Sequence, residues 1–98
     1  MESYLTRFLD YLDTVNSGSA HTKDAYQRDI TEFLDFLKSE NIMSLDDVDR
    51  IIVMNYVSHL RERDGRQGTM KNATVARKLS SLRSFYRYLN EYVGAQNN

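Results

Sequence analysis

Between Lys71 and Arg87 the chain carries five cations, Lys71, Arg77, Lys78, Arg83 and Arg87, interleaved with the hydroxyls of Thr74, Ser80, Ser81 and Ser84. Arginines and short hydroxyl side chains are the groups that hydrogen-bond phosphate oxygens and base edges. Read at 3.6 residues per turn, Arg77, Ser81 and Ser84 share one side of a helix. Thr74 and Lys78 lie on one shoulder of it, and Arg83 and Arg87 on the other. The opposite stripe is apolar: Val75, Leu79, Leu82, Tyr86 and Leu89, spaced four, three, four and three. Spacing alone fits two uses, a bundle helix with a solvated basic face or a helix laid against a polyanion.

Other chemistries find little support. The carboxylates are scattered over helix exteriors rather than paired across a cleft, so no general acid–base pair stands out. No strand precedes a glycine-rich phosphate loop, and no serine sits in a strained elbow. The chain has no cysteine and two isolated histidines, which excludes disulfides and leaves no zinc-ligand set. No metal and no cofactor are expected. His59, between Val57 and Leu60, reads as a partly exposed helical histidine.

A length of 98 residues without proline bounds the chain to one domain. No apolar run approaches the roughly 20 residues that span a bilayer, and Met1-Glu2-Ser3-Tyr4 does not read as a signal peptide, so the cytoplasm is the expected location. The net charge of −1 is unevenly spread. Residues 65–98 hold six Lys or Arg against one acid, +5, and residues 1–64 hold seven against thirteen, −6. Such polarity steers a polyanion toward one face.

The elements that must position the basic helix are helical too. Leu5, Phe8, Leu9, Leu12 and Val15 predict a helix over 2–15, and Asn16-Ser17-Gly18-Ser19 predicts its stop and the next N-cap. A second helix over 20–39 has Tyr26, Ile30, Phe33, Leu34 and Leu37 as its core stripe, and Asp24, Arg28, Thr31 and Asp35 outward. Ser44 and Asp47 suggest a capping box before a short turn at 45–48, and Asp49 a cap for a third helix over 50–63. There Ile52, Tyr56, Val57 and Leu60 point inward. Ile51 and Val53 make its start apolar nearly all round, so it is expected to be the most buried helix. Residues 64–71 read as a mobile loop. Asn72 is the expected N-cap of the fourth helix, and Gly94 its end. The fold class is all-α, a four-helix bundle over 1–94, with 95–98 a disordered tail.

The run Ala76-Arg77-Lys78-Leu79-Ser80-Ser81-Leu82-Arg83-Ser84-Phe85-Tyr86-Arg87-Tyr88-Leu89 closely resembles the last helix of the N-terminal core-binding domain of tyrosine recombinases, the Xer and phage-integrase type. Thr22-x-x-x-Tyr26-x-x-Asp29-Ile30-x-x-Phe33-x-x-Phe36-Leu37 is similar to that domain's second helix. Leu45-x-x-Val48 and Ile52-x-x-x-Tyr56-Val57-x-x-Leu60 fit its third. The resemblance covers roughly residues 2–92, and its strength lies in three blocks in the right order and spacing.

The resemblance implies an orthogonal SAM-like bundle whose second and fourth helices approach the major groove of double-stranded DNA at a recombination half-site. The residues it marks for DNA are Lys71, Thr74, Arg77, Lys78 and Ser81 on the fourth helix, and His21, Lys23 and Arg28 on the second. Arg77 is the first candidate for a base edge or strong phosphate contact; Lys71, Lys78 and Lys23 are candidates for phosphates. Arg83 and Arg87 flank the core and read as packing or ion-pair partners. The first helix is implied to touch neighbouring recombinase protomers on DNA, and the isolated domain to be a monomer. The family's catalytic tyrosine, arginines and His-x-x-Arg motif belong to a C-terminal domain: His59-Leu60-Arg61-Glu62 and His21-Thr22-Lys23-Asp24 both lack the motif's arginine. The chain is thus expected to bind DNA without cutting it, as a piece ending near the interdomain linker. The alternative reading is a small helical protein-interaction module with no nucleic-acid role.

Overall fold

The computed structural model describes residues 1–15, 20–63 and 71–94. The expected stop at 16–19, the expected loop at 64–71 apart from Lys71, and the tail at 95–98 lie outside the described residues. Within them are four α-helices: α1 (Glu2–Thr14), α2 (Ala20–Ser39), α3 (Arg50–Arg63) and α4 (Asn72–Tyr88), with a single 3₁₀ turn at Leu45–Asp47. No strand occurs among the described residues.

Helix α1 buries Leu5, Phe8 and Leu12, one stripe at i, i+3 and i+7. Val15 does not join it. The helix ends at Thr14, and Val15 is 46% exposed. Phe8 is the meeting point of three helices, with ring centroids 5.5 Å from Tyr26 on α2 and 5.5 Å from both Phe85 and Tyr88 on α4. Helix α2 runs through the middle, burying Ile30, Phe33, Leu34, Phe36 and Leu37.

A Schellman motif closes α2. Asn41 takes a left-handed φ of 60°, its N–H donates to Lys38 O (3.0 Å), and Ile42 N–H donates to Leu37 O (2.8 Å). Asparagine tolerates this conformation better than most non-glycine residues. Ser44 Oγ then accepts from Asp46 N (3.2 Å), a local turn in place of the expected capping box. Asp49 Oδ1 accepts from Ile52 N (3.0 Å), capping α3 as anticipated.

The expectation that α3 is the most buried helix is overturned. Tyr56 and Leu60 are buried, but Ile51 is 66% and Met54 60% exposed. Tyr56 packs against Phe33 and Phe36 on α2, so α3 is covered on one side and leaves its Ile51–Met54 side to solvent. The N-cap of α4 is Lys71 rather than Asn72; Asn72 Oδ1 instead accepts from Arg61 on α3 (3.4 Å). Past Tyr88 the helix widens into a π turn, Leu89–Val93, closing at Gly94.

Candidate nucleic-acid interface

The buried stripe of α4 is rotated from the one its apolar spacing predicts. Val75, Leu82 and Phe85 are buried, together with Lys78 (4% exposed), Ser81 (6%) and Tyr88. Leu79, Tyr86 and Leu89 are only half-buried. Helix α2 packs on the side of α4 that carries Lys78 and Ser81, and it brings a carboxylate with it. Asp29 is 1% exposed, inside the α2 stripe between Tyr26 and Phe33.

Three donors from α4 converge on Asp29. Arg77 Nη2 lies 3.1 Å and Lys78 Nζ 3.2 Å from Oδ1, and Ser81 Oγ donates to Oδ2 at 2.8 Å. Lys78 Nζ also reaches Glu32 Oε1 at 2.5 Å. A buried carboxylate is costly unless paired and hydrogen-bonded, and here it is both.

Two of the expected DNA-contact residues therefore face elsewhere than their spacing suggests. Ser81 and Lys78 point into the α2–α4 interface, because Asp29 and Glu32 offer them partners there. Arg77 stands at the edge, its side chain 47% exposed while one guanidinium nitrogen reaches Asp29. Lys23 is engaged as well: its ammonium bonds Asp13 on α1 at 2.8 Å, which raises its pKa above the ordinary lysine value. His21, Arg28 and Lys71 are exposed, and Thr74 is half-buried.

An open groove runs between the two helices. Helix α2 contributes His21, Thr22, Ala25 and Tyr26 to it, α4 contributes Arg77, Ser80 and Ser81, and Asp29 lies at their junction. So Arg77, Ser81 and His21 are brought together at one groove, and Lys71 stands at the first turn of α4. Lys78 lies beneath. Asp29 and Glu32 were missed as site residues. The available signal lay on α2 alone: Asp29 is a carboxylate within the apolar stripe, between Tyr26 and Phe33.

Among the described residues no group of three or more His, Asp or Glu could hold a metal ion, and no helix is long and apolar enough to cross a membrane.

The phage integrase, N-terminal SAM-like domain family model matches residues 5–91. The chain is 46% identical over 90 residues to a tyrosine recombinase of Pseudothermotoga lettingae, covering 91% of this chain and 30% of that protein. It is 40% identical over 83 residues to a tyrosine recombinase XerC of Listeria innocua, covering 85% and 26%. With the XerC of Thermodesulfovibrio yellowstonii it shares 38% over 86 residues, covering 88% and 26%. The chain spans under a third of the length of each of these relatives. No solved structure matches it. The order of its helices and its match across residues 5–91 make this chain a member of the phage integrase N-terminal SAM-like domain family.

Proposed function

We propose that this domain binds double-stranded DNA at a recombination half-site as the N-terminal part of a tyrosine recombinase, with α2 and the start of α4 against the major groove. One observation carries the reading: the groove between those helices has Arg77 half-exposed at its edge. Exposed Arg28 and His21 lie on α2, and exposed Lys71 is the N-cap of α4. Arg77 addresses a base edge or phosphate, and Lys71 and Arg28 hold backbone phosphates. Ser81 and Lys78 support the interface from within. DNA cleavage falls to residues outside this domain, and other protomers join it through α1 when the recombinase assembles on DNA. The cytoplasm is the setting this work requires.

The test is an NMR titration of the ¹⁵N-labelled domain with a short duplex at two salt concentrations. Shifts concentrated at residues 71–77 and 21–28 and weakening with salt support the reading. With three cations on phosphates, the log–log salt slope should be about −3. Absence of shifts at low salt overturns it. The exposed Ile51 and Met54 favour the second reading, a protein-interaction surface on α3, which is indifferent to salt and to DNA.

A further inference from the structure

Arginine is a poor reader of DNA while its long side chain samples many rotamers, because binding then has to order it. Arg77 carries a tether against that freedom. Its Nη2 is held 3.1 Å from the Oδ1 of Asp29, whose own side chain is fully buried and fixed by Ser81 at 2.8 Å. A guanidinium has five N–H donors, and this contact engages one of them. The side chain remains 47% exposed, so the rest of the fork is presented to the groove. Beside it, Lys78 is drawn between Asp29 and Glu32 and is withdrawn from that surface.

We propose that Asp29 is a positioning residue for DNA recognition: from α2 it holds the Arg77 guanidinium of α4 at the groove in the orientation that meets DNA. This rests on the reading of the groove as a DNA surface. It has a consequence that opposes simple electrostatics. Removing a negative charge beside a polyanion site should tighten binding if only the summed field matters. If Asp29 acts by holding Arg77, removing its charge loosens the arginine and weakens binding.

The experiment is a cycle of Asp29→Asn, Arg77→Ala and the double variant in the 98-residue chain, read by fluorescence anisotropy with a short fluorescein-labelled duplex at low salt. Circular dichroism establishes that each variant is folded at the temperature used. Asp29→Asn is expected to weaken binding about three- to tenfold. In the Arg77→Ala background the same change should have no further effect. Unchanged or tighter binding by Asp29→Asn, or an equal loss in both backgrounds, overturns the proposal and leaves the DNA reading standing. Wild-type protein that binds no duplex overturns both. Should the Asn variant unfold, the wild-type Arg77 guanidinium decides the matter. Resolved, exchange-protected side-chain N–H signals before DNA is added support positioning, and a single averaged signal overturns it.

Discussion

Ser81 on α4 donates its hydroxyl to the carboxylate of Asp29 on α2 at 2.8 Å, joining two residues 52 positions apart inside the bundle. Removing that donor leaves a buried carboxylate oxygen short of a partner. Ser81→Ala should cost about 1–3 kcal/mol of stability in urea unfolding. A cost near zero would mean that Arg77 and Lys78 satisfy Asp29 without it.

The rotated stripe of α4 relocates the core. Phe85 is fully buried against Phe8, whereas Leu79 is only partly covered. Phe85→Ala should therefore destabilise by about 3–5 kcal/mol. Leu79→Ala should cost less, and chemical denaturation of the two variants side by side checks the order.

Tyr86 donates its hydroxyl to the Leu45 carbonyl at 3.3 Å, tying α4 to the 3₁₀ turn. Burial, with a smaller effect from Asp46, pushes its pKa well above the ordinary tyrosine value. The folded state therefore keeps Tyr86 neutral while the unfolded chain ionises it near pH 10. Its contribution is complete below that pH and is lost as pH rises toward the folded-state pKa. Melting curves at about pH 9 and about pH 11 should show a larger alkaline loss for wild type than for Tyr86→Phe.

Lys71 and Arg28 are exposed, and the proposed DNA surface assigns them to phosphates. Each alanine variant should flatten the salt slope of duplex binding by about 1 while leaving the melting temperature almost unchanged. Variation of affinity with DNA sequence should survive both changes.

Ile51 faces solvent on α3. Ile51→Lys should change stability by no more than about 0.5 kcal/mol. A loss of several kcal/mol would return Ile51 to the core.

The sequence was most legible where periodicity and capping agree. The bounds of α2 and α3 and the Asp49 cap follow from apolar spacing and local hydrogen-bond chemistry, and the structure places them as read. The family blocks specified the rest of the fold. Legibility failed on the phase of α4. Counting only apolar residues makes Leu79 and Tyr86 the centre of the buried stripe. The buried side is in fact completed by Lys78 and Ser81, whose burial depends on an acid 49 and 52 positions away. No local pattern on α4 carries that information. The same blindness put Ser81 and Lys78 on an outer surface and passed over Asp29, although Arg77, His21 and Lys71 do lie toward solvent.

The charged bridge between α2 and α4 also bears on how many arrangements this chain can adopt. Leu, Ile and Phe accept many neighbours, so an all-apolar seam could re-form after a slide of one helical turn, about 5.4 Å. Such a slide would set Asp29 against Ser81, Leu82 and Phe85 in one direction, or against Ala73, Thr74 and Arg77 in the other, in place of Arg77, Lys78 and Ser81. The carboxylate would lose one or both of its cations while still enclosed, and losing both costs several kcal/mol. Apolar contacts make the bundle cohere; the enclosed Asp29 disfavours a slipped alternative, so the two helices that frame the groove favour one alignment.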